Sequence, residues 1–195
     1  MESTITGIVL SGGESQRMGS DKGLLLLNNK KLIEYPVDIL RKVCKNIIIS
    51  ANTSSYNYLG FPVVADKYKS AGPISGLFAG LQASKTAHNI ILACDMPFVD
   101  PGILDILLLN MEKYEIIVPS VDDWPLPVCG YYNKSVLPVL ESEINKNNFS
   151  LQGILKKCNS LILEIDDEPT RKKLININTR EEFMKFAPDS FSRLL

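Results

Sequence analysis

The chain has 195 residues, 45% apolar and 22% charged, which is enough for one globular domain with its own core. Its 21 basic and 22 acidic residues nearly cancel to a formal charge of −1, so nucleic acid is not an expected partner and any anion site must be built locally. No apolar run reaches membrane-spanning length, and Met1-Glu2-Ser3-Thr4 lacks the basic region of a signal peptide, so neither a membrane nor export is expected and the cytoplasm is.

The four cysteines, Cys44, Cys94, Cys129 and Cys158, are scattered without a CxxC pair, and His88 is the single histidine. That set reads as reduced, buried thiols rather than a zinc site.

In chain order, Ile5–Leu10 reads as a buried parallel strand. It opens into a loop from Leu10 to Lys22 that holds Gly12, Gly13, Gly19, Arg17 and Lys22. Leu24–Leu27 is a short apolar piece, and Leu32–Val43 has helical spacing with Pro36 in its first turn. Ile47–Ser50 is a second strand, followed by a polar turn over Ala51–Ser55. Phe61–Ala65 is a third strand, ending at Asp66. Gly72-Pro73-Ile74-Ser75-Gly76 leads into a helix to about Ser84. Asn89–Cys94 is a strongly apolar strand with His88 at its border, closed by Asp95-Met96-Pro97-Phe98. Pro101–Asn110 reads as a helix and Glu115–Val118 as a strand.

A turn-rich loop, Asp122–Pro127, precedes a strand at Val128–Tyr132. Helices follow at Val136–Ile144 and Leu151–Lys157, then a strand at Leu161–Ile165. Leu174–Thr179 reads as a strand end running into a capped helix, Arg180–Phe186. This alternation predicts an α/β fold, doubly wound in three layers, with a mostly parallel sheet and one antiparallel strand near Val128–Tyr132. No linker or repeat interrupts it, so a single domain over 1–195 is expected.

In such sheets ligands bind beyond the carboxyl ends of the strands, where the polar landmarks fall. Glycine lets backbone N–H groups turn toward an anion, and Arg17 and Lys22 supply positive charge, so the loop reads as a phosphate cradle. It is neither GxxxxGK[ST] nor GxGxxG. Asp95, at the end of a buried strand, suits a hard cation such as Mg2+, which takes one or two carboxylates with phosphate oxygens. The plain alternative is a cap on the segment after it. Asp66 has the same two readings, with pairing to Lys67 or a turn cap as its structural one. Asn52 suits a sugar hydroxyl or a base edge, and equally a plain turn. Asn176 and Asn178 share one face if that stretch is extended and offer two amides to a substrate; Asn178 also reads as a turn residue before a Thr179 cap.

The stretch Leu10-Ser11-Gly12-Gly13-x-Ser15-x-Arg17-Met18-Gly19-x-Asp21-Lys22 resembles the LAGGxSxRMGxDK loop of the molybdenum cofactor guanylyltransferases, among the molybdopterin nucleotidyltransferases with a Rossmann-like fold. Gly72–Gly76 resembles their GPLxG, Cys94–Phe98 their CDMPF, and Asn176–Glu182 their NxNTxEE. The matches keep their order and cover nearly the whole chain.

The resemblance implies Mg2+-dependent transfer of GMP from GTP to the terminal phosphate of molybdopterin, with release of pyrophosphate. Leu10, Ser11, Gly12 and Gly13 with Lys22 would hold the triphosphate and base, and Arg17 would neutralise charge. Asn52 and Asp66 would bind the nucleoside, and Asp95 would ligate Mg2+. Arg17, Lys22 and Asp95 are thus the expected catalytic residues, and Pro127, Asn176 and Asn178 the candidates for the acceptor. The nucleotide half would run to about residue 100 and the acceptor half from there. A monomer is expected, with transient contact to enzymes that supply or receive the cofactor.

Gly13 stands where relatives that transfer cytidylyl groups carry alanine, which favours a purine. The acceptor half departs from the pattern. Asp122-Asp123-Trp124-Pro125-Leu126-Pro127-Val128 replaces a DGRPEPL-like stretch, and Ser150-Leu151-Gln152-Gly153 replaces Ser-Leu-Arg-Arg. Trp124 suits stacking on a flat pterin or packing on Pro125. Cytidylyl or sugar-phosphate nucleotidyl transfer is the rival enzyme reading, and a GTP-binding regulatory protein without turnover the rival of another class.

Overall fold

A central sheet has helices on both faces, and Asn52, Asp66 and Asp95 follow the carboxyl ends of its strands. The computed structural model describes residues 5–12, 21–68 and 71–186. The elements are β1 (Ile5–Leu10), β2 (Leu26–Leu27), β3 (Lys30–Lys31), α1 (Glu34–Val43), β4 (Asn46–Ser50), β5 (Val63–Val64), α2 (Pro73–Ala83) and β6 (His88–Ala93). They continue with α3 (Pro101–Leu108), β7 (Ile116–Val121), β8 (Trp124–Pro125), β9 (Cys129–Asn133), α4 (Leu137–Asn145), α5 (Leu151–Leu155), β10 (Ser160–Glu164), α6 (Glu168–Arg171) and α7 (Arg180–Phe186).

The sheet order is β10-β7-β9-β6-β1-β4-β5. β1 lies at its heart, parallel to β4 on one side and β6 on the other, so Ile8 sits between Ile48 and Ile91. The antiparallel strand expected near Val128–Tyr132 is β9, which runs against both β6 and β7. β8 adds a short antiparallel pairing to β7, and β2–β3 form a separate hairpin.

The alternation of strand side chains divides the core in two. Val9 and Leu92 face the side covered by α1 and α3, with Val37, Leu40, Ile103 and Leu107. Ile8, Leu10 and Ile91 face the side covered by α2, α4 and α5, with Leu77, Phe78, Leu140 and Ile154. Burial on both faces explains why these strands read as apolar runs rather than as alternating patterns. The cysteines behave as small core residues: all four are free, and burial lifts the Cys44, Cys94 and Cys129 thiols to about 12.

Three local expectations change. Leu174–Thr179 is not a strand end, because it has no ladder neighbour. Ile177 N–H instead donates to the Asp95 carbonyl at 2.9 Å, and the Ile177 side chain joins a small third core with Leu25, Leu27, Leu32 and Phe183. The polar turn after β4 continues into a 3-10 helix, Ser54–Leu59, capped by Thr53 and burying Tyr56. The turn-rich stretch at 122–127 is partly a hairpin. Asp122 and Asp123 have φ of 52° and 61°, the two left-handed residues of a two-residue β-turn, and bring Trp124 opposite Val121. Asn28 and Asn29 make the same turn between β2 and β3.

Candidate active site

The carboxyl ends of β4, β1 and β6 are stitched at one level. Ser11 N–H donates to the Ser50 carbonyl, and Cys94 N–H to the Leu10 carbonyl, each at 2.9 Å. Next to them, Ala93 N–H donates to the Val128 carbonyl at 2.9 Å, which brings the start of β9 and the neighbouring Pro127 to the same edge. Whatever leaves these strands converges on one surface.

Lys22 and Asp95 meet there. Lys22 Nζ lies 2.9 Å from Asp95 Oδ2, and the two side chains are only 13% and 19% exposed. Lys22 Nζ also donates to Asn178 Oδ1 at 3.3 Å. Asp95 Oδ1 is buried and has no hydrogen-bond partner. A carboxylate with one oxygen on a lysine and the other buried and unpaired is incomplete by itself. A hard cation that takes its remaining oxygens from phosphate and water fits that oxygen. Among the described residues no cluster of three or more metal-ligating side chains exists. The cap reading of Asp95 does not apply to α3, whose N-terminus is capped by Asp100 through Gly102 N–H.

Asn52 and Asp66 form the second pair. Asp66 N–H donates to Asn52 Oδ1 at 2.8 Å, and Asn52 Nδ2 donates to Asp66 Oδ2 at 3.2 Å. Ser50 Oγ approaches Asp66 Oδ1 at 3.5 Å. Burial raises the Asp66 carboxyl above its ordinary pKa, partly offset by the hydrogen bonds from Asn52 and Ser50. The glycine motifs border this pair. A Cβ at Gly12 would lie 3.6 Å from Asp66 Oδ2, and one at Gly76 3.5 Å from Asp66 Oδ1. At Gly76, which is buried in α2, the nearest atom to such a Cβ is Ser50 Oγ at 3.1 Å, so the glycine makes room for the Ser50–Asp66 contact.

The remaining candidates fall as follows. Gly13 and Arg17 lie outside the described residues. Pro127 accepts from Tyr132 Oη through its carbonyl at 2.7 Å. Asn176 has a buried, unpartnered Oδ1, whereas Asn178 is exposed and joined to Lys22. Thr179 caps α7 as expected: its Oγ1 accepts from Glu182 N–H at 3.1 Å, while Glu182 Oε2 accepts from Asn178 N–H at 2.5 Å and Thr179 N–H at 3.0 Å. Trp124, on the β8 hairpin, is 67% exposed. His88 contacts Tyr131 at the opposite end of β6 and takes no part in the site.

Two residues join the site that the sequence reading passed over, Tyr56 and Asp21. Tyr56 is fully buried, and its hydroxyl accepts from Ser11 Oγ at 2.7 Å and donates to Asp21 Oδ1. The signal for Tyr56 was Thr53-x-Ser55, a helix start, followed by Tyr56 and Leu59 at a spacing of three.

Comparison with known proteins bears on the family. Residues 7–161 match the family model described as a MobA-like NTP transferase domain. The molybdenum cofactor guanylyltransferase of Vibrio vulnificus is 32% identical over 192 residues, covering 96% of this chain and 97% of the relative. That of Vibrio parahaemolyticus is 33% identical over 185 residues, covering 92% and 93%. The crystal structure of molybdopterin-guanine dinucleotide biosynthesis protein A from Archaeoglobus fulgidus superposes with a TM-score of 0.76 at 26% identity, covering 94% of this chain and 97% of that one. A 4-diphosphocytidyl-2C-methyl-D-erythritol synthase from Anaerococcus prevotii, 11% identical, shares the fold alone, with a TM-score of 0.71 and coverage of 95% and 97%. With a family model over most of its length and relatives above 30% identity along nearly all of it, the chain belongs to the MobA-like NTP transferase family, a family of nucleotidyltransferases.

Proposed function

We propose that this protein transfers GMP from GTP to the terminal phosphate of molybdopterin, releasing pyrophosphate and forming a guanine dinucleotide cofactor. The observation that carries the reading is the Lys22–Asp95 pair, with its unpaired carboxylate oxygen, beside the carboxyl ends of β1 and β6. In this reaction an oxygen of the acceptor phosphate forms a bond to the α-phosphorus of GTP. The bond from that phosphorus to the β-phosphate oxygen breaks, and the electron pair leaves with pyrophosphate. No protein nucleophile is required, and the work of the site is positioning and charge neutralisation.

In this reading the backbone from Leu10 to Gly13 takes the phosphates and base, and Lys22 neutralises the triphosphate, with Arg17 as a second cation. The Asn52–Asp66 pair receives the nucleoside, because the Asp66 carboxylate, held by Asn52, keeps acceptor capacity beside Gly12. Asp95 Oδ1 would hold Mg2+, which supplies neutralisation of charge that builds on the leaving phosphates. Pro127, Asn176 and Asn178 are assigned to the acceptor side. One domain carries both halves, working as a cytoplasmic monomer that meets other enzymes of the cofactor transiently. Among the described residues no helix is long and apolar enough to cross a membrane.

Pyrophosphate release measured with each of the four nucleoside triphosphates, with and without molybdopterin, tests the reading. Release is expected with GTP and acceptor together. A preference for CTP would transfer the assignment to cytidylyl transfer. GTP and Mg2+ binding without acceptor-dependent release would leave a nucleotide-binding protein without turnover.

A further inference from the structure

The reaction as written does not use Tyr56, although this residue is fully buried and its hydroxyl lies between the two ends of the phosphate loop. We propose that Tyr56 is a positioning residue whose phenol clasps the start and the end of that loop and thereby sets Lys22 on Asp95. This rests on the nucleotidyl-transfer reading above.

Ser11 is the first residue after β1, and its Oγ donates to Tyr56 Oη at 2.7 Å. Tyr56 Oη donates in turn to Asp21 Oδ1. The same Oδ1 accepts from Gly23 N–H at 3.1 Å and so caps the helical turn Lys22–Leu24. One hydroxyl therefore gathers residues 11 and 21 and, through Asp21 Oδ1, residue 23. A phenol accepts one hydrogen bond and donates one, which is what Ser11 and Asp21 require. Burial raises the pKa of Tyr56, which keeps it in the O–H form that a donor to a carboxylate must have. Its ring is carried by the capped turn Ser54–Leu59 and packs in the core shared by α1 and α3, so the clasp is anchored to the body of the protein rather than to the loop.

Tying Ser11 to Asp21 through one hydroxyl fixes the backbone next to Lys22, whose ammonium must reach both Asp95 and the incoming phosphates, and so lowers the entropy lost when Lys22 engages a triphosphate. Gly23 completes the arrangement. A Cβ there would collide with Tyr56 Oη and stand 2.9 Å from Ser11 Oγ, so the closed clasp admits only glycine at this position.

Tyr56→Phe keeps the ring and removes the hydroxyl. Affinity for a non-hydrolysable GTP analogue with Mg2+, measured by titration calorimetry, should fall about ten- to hundredfold. KM for molybdopterin should stay within about twofold. A role in stability alone would lower the folded fraction and leave the affinity of the folded remainder unchanged. Asp21→Ala removes the acceptor from a half-buried position and should give the same loss in a variant whose core is untouched. Gly23→Ala should weaken binding as well, and Gly23→Ala with Tyr56→Phe should be no worse than Gly23→Ala alone, because the oxygen struck by the new methyl is gone. Wild-type affinity in both Tyr56→Phe and Asp21→Ala would overturn the clasp. If the wild type prefers another nucleoside triphosphate, the base assignment fails while the clasp is read on that nucleotide. A wild type that binds none overturns both.

Discussion

Replacing Asp95 by asparagine separates the two jobs assigned to its carboxylate. Asparagine keeps the volume but removes the charge that faces Lys22 Nζ across 2.9 Å. At an effective dielectric of about 20 the gross attraction of such a pair is roughly 6 kcal/mol. Removing one partner of a buried pair costs about 3–5 kcal/mol, and here some solvent reaches both side chains and an amide still accepts from the ammonium. A loss of about 1–3 kcal/mol is therefore expected, with Tm falling by roughly 2–4 °C per kcal/mol for a chain of this size. The second job is read with ligands. A nucleotide with its cation at a hundredfold excess over Kd stabilises by about 2.7 kcal/mol. In Asp95→Asn, GTP alone should still raise Tm through the glycine loop and Lys22, while the increment added by Mg2+ disappears. Turnover should drop at least about a hundredfold, the scale of losing one aimed electrostatic group. Thermal melts with and without GTP and Mg2+, paired with pyrophosphate release, measure both. Turnover within threefold of wild type at ordinary Mg2+ would refute the metal assignment.

Other substitutions test other links. Lys22→Ala should weaken triphosphate binding about tenfold or more while acceptor KM holds, and unchanged GTP affinity in calorimetry would remove Lys22 from the phosphate site. Glu143, near the end of α4, is buried, and bonds from Lys157, Lys146 and Asn148 hold its carboxyl down to about 2 from an ordinary 4.5. Its folded pKa is depressed, so its contribution is complete above about pH 4.5 and is lost as pH falls through about 2. Urea midpoints of Glu143→Gln should therefore converge on wild type as pH falls through that window, and a constant gap would contradict it. Gly130→Ala would place a Cβ 2.6 Å from the Ile117 carbonyl oxygen and 2.7 Å from Val118 Cγ1, wedging β9 off β7. A loss of about 1–3 kcal/mol in urea unfolding is expected, with activity per folded molecule retained.

The fold was legible wherever hydrophobic pattern and punctuation agreed. β1, β4, β6 and β9 announce themselves because each is a short apolar run ended by a polar landmark, and α1 because its apolar residues recur at helical spacing. What stayed hidden depends on contacts distant in sequence. Leu174–Thr179 has the composition of a strand, yet the backbone bond from its middle goes to Asp95, some eighty residues earlier, and Ile177 finds a core instead of a ladder. The hairpin at 122–125 was written in two left-handed aspartates, but Asp-Asp is a weaker turn signal than Asp-Gly and two prolines followed it. At the site, Lys22, Asp95, Asn52 and Asp66 could be picked out by type and by strand-end position. That Asn52 and Asp66 hold each other, and that Lys22 is held by Asp95 and Asn178, could not, since no local pattern encodes a pairing across 14, 73 or 156 residues.

These pairings bear on how a charged substrate is admitted. Lys22 is not idle before the triphosphate arrives: it is already neutralised by Asp95 and steadied by Asn178. A lysine pulled wholly onto phosphate would abandon a nearly buried carboxylate, which is costly unless other positive charge replaces it. The unpaired Asp95 Oδ1 offers a place for that charge without evicting the lysine from Oδ2. The carboxylate can thus stay compensated while Lys22 turns part of its donor capacity toward the phosphates, an ammonium having three hydrogens to share. Asn178 ties this exchange to the end of the chain, because the backbone that carries it is held by the Thr179–Glu182 capping box of α7. Lys22 and the N-terminus of α7 are therefore coupled through one ammonium, across 156 residues of sequence.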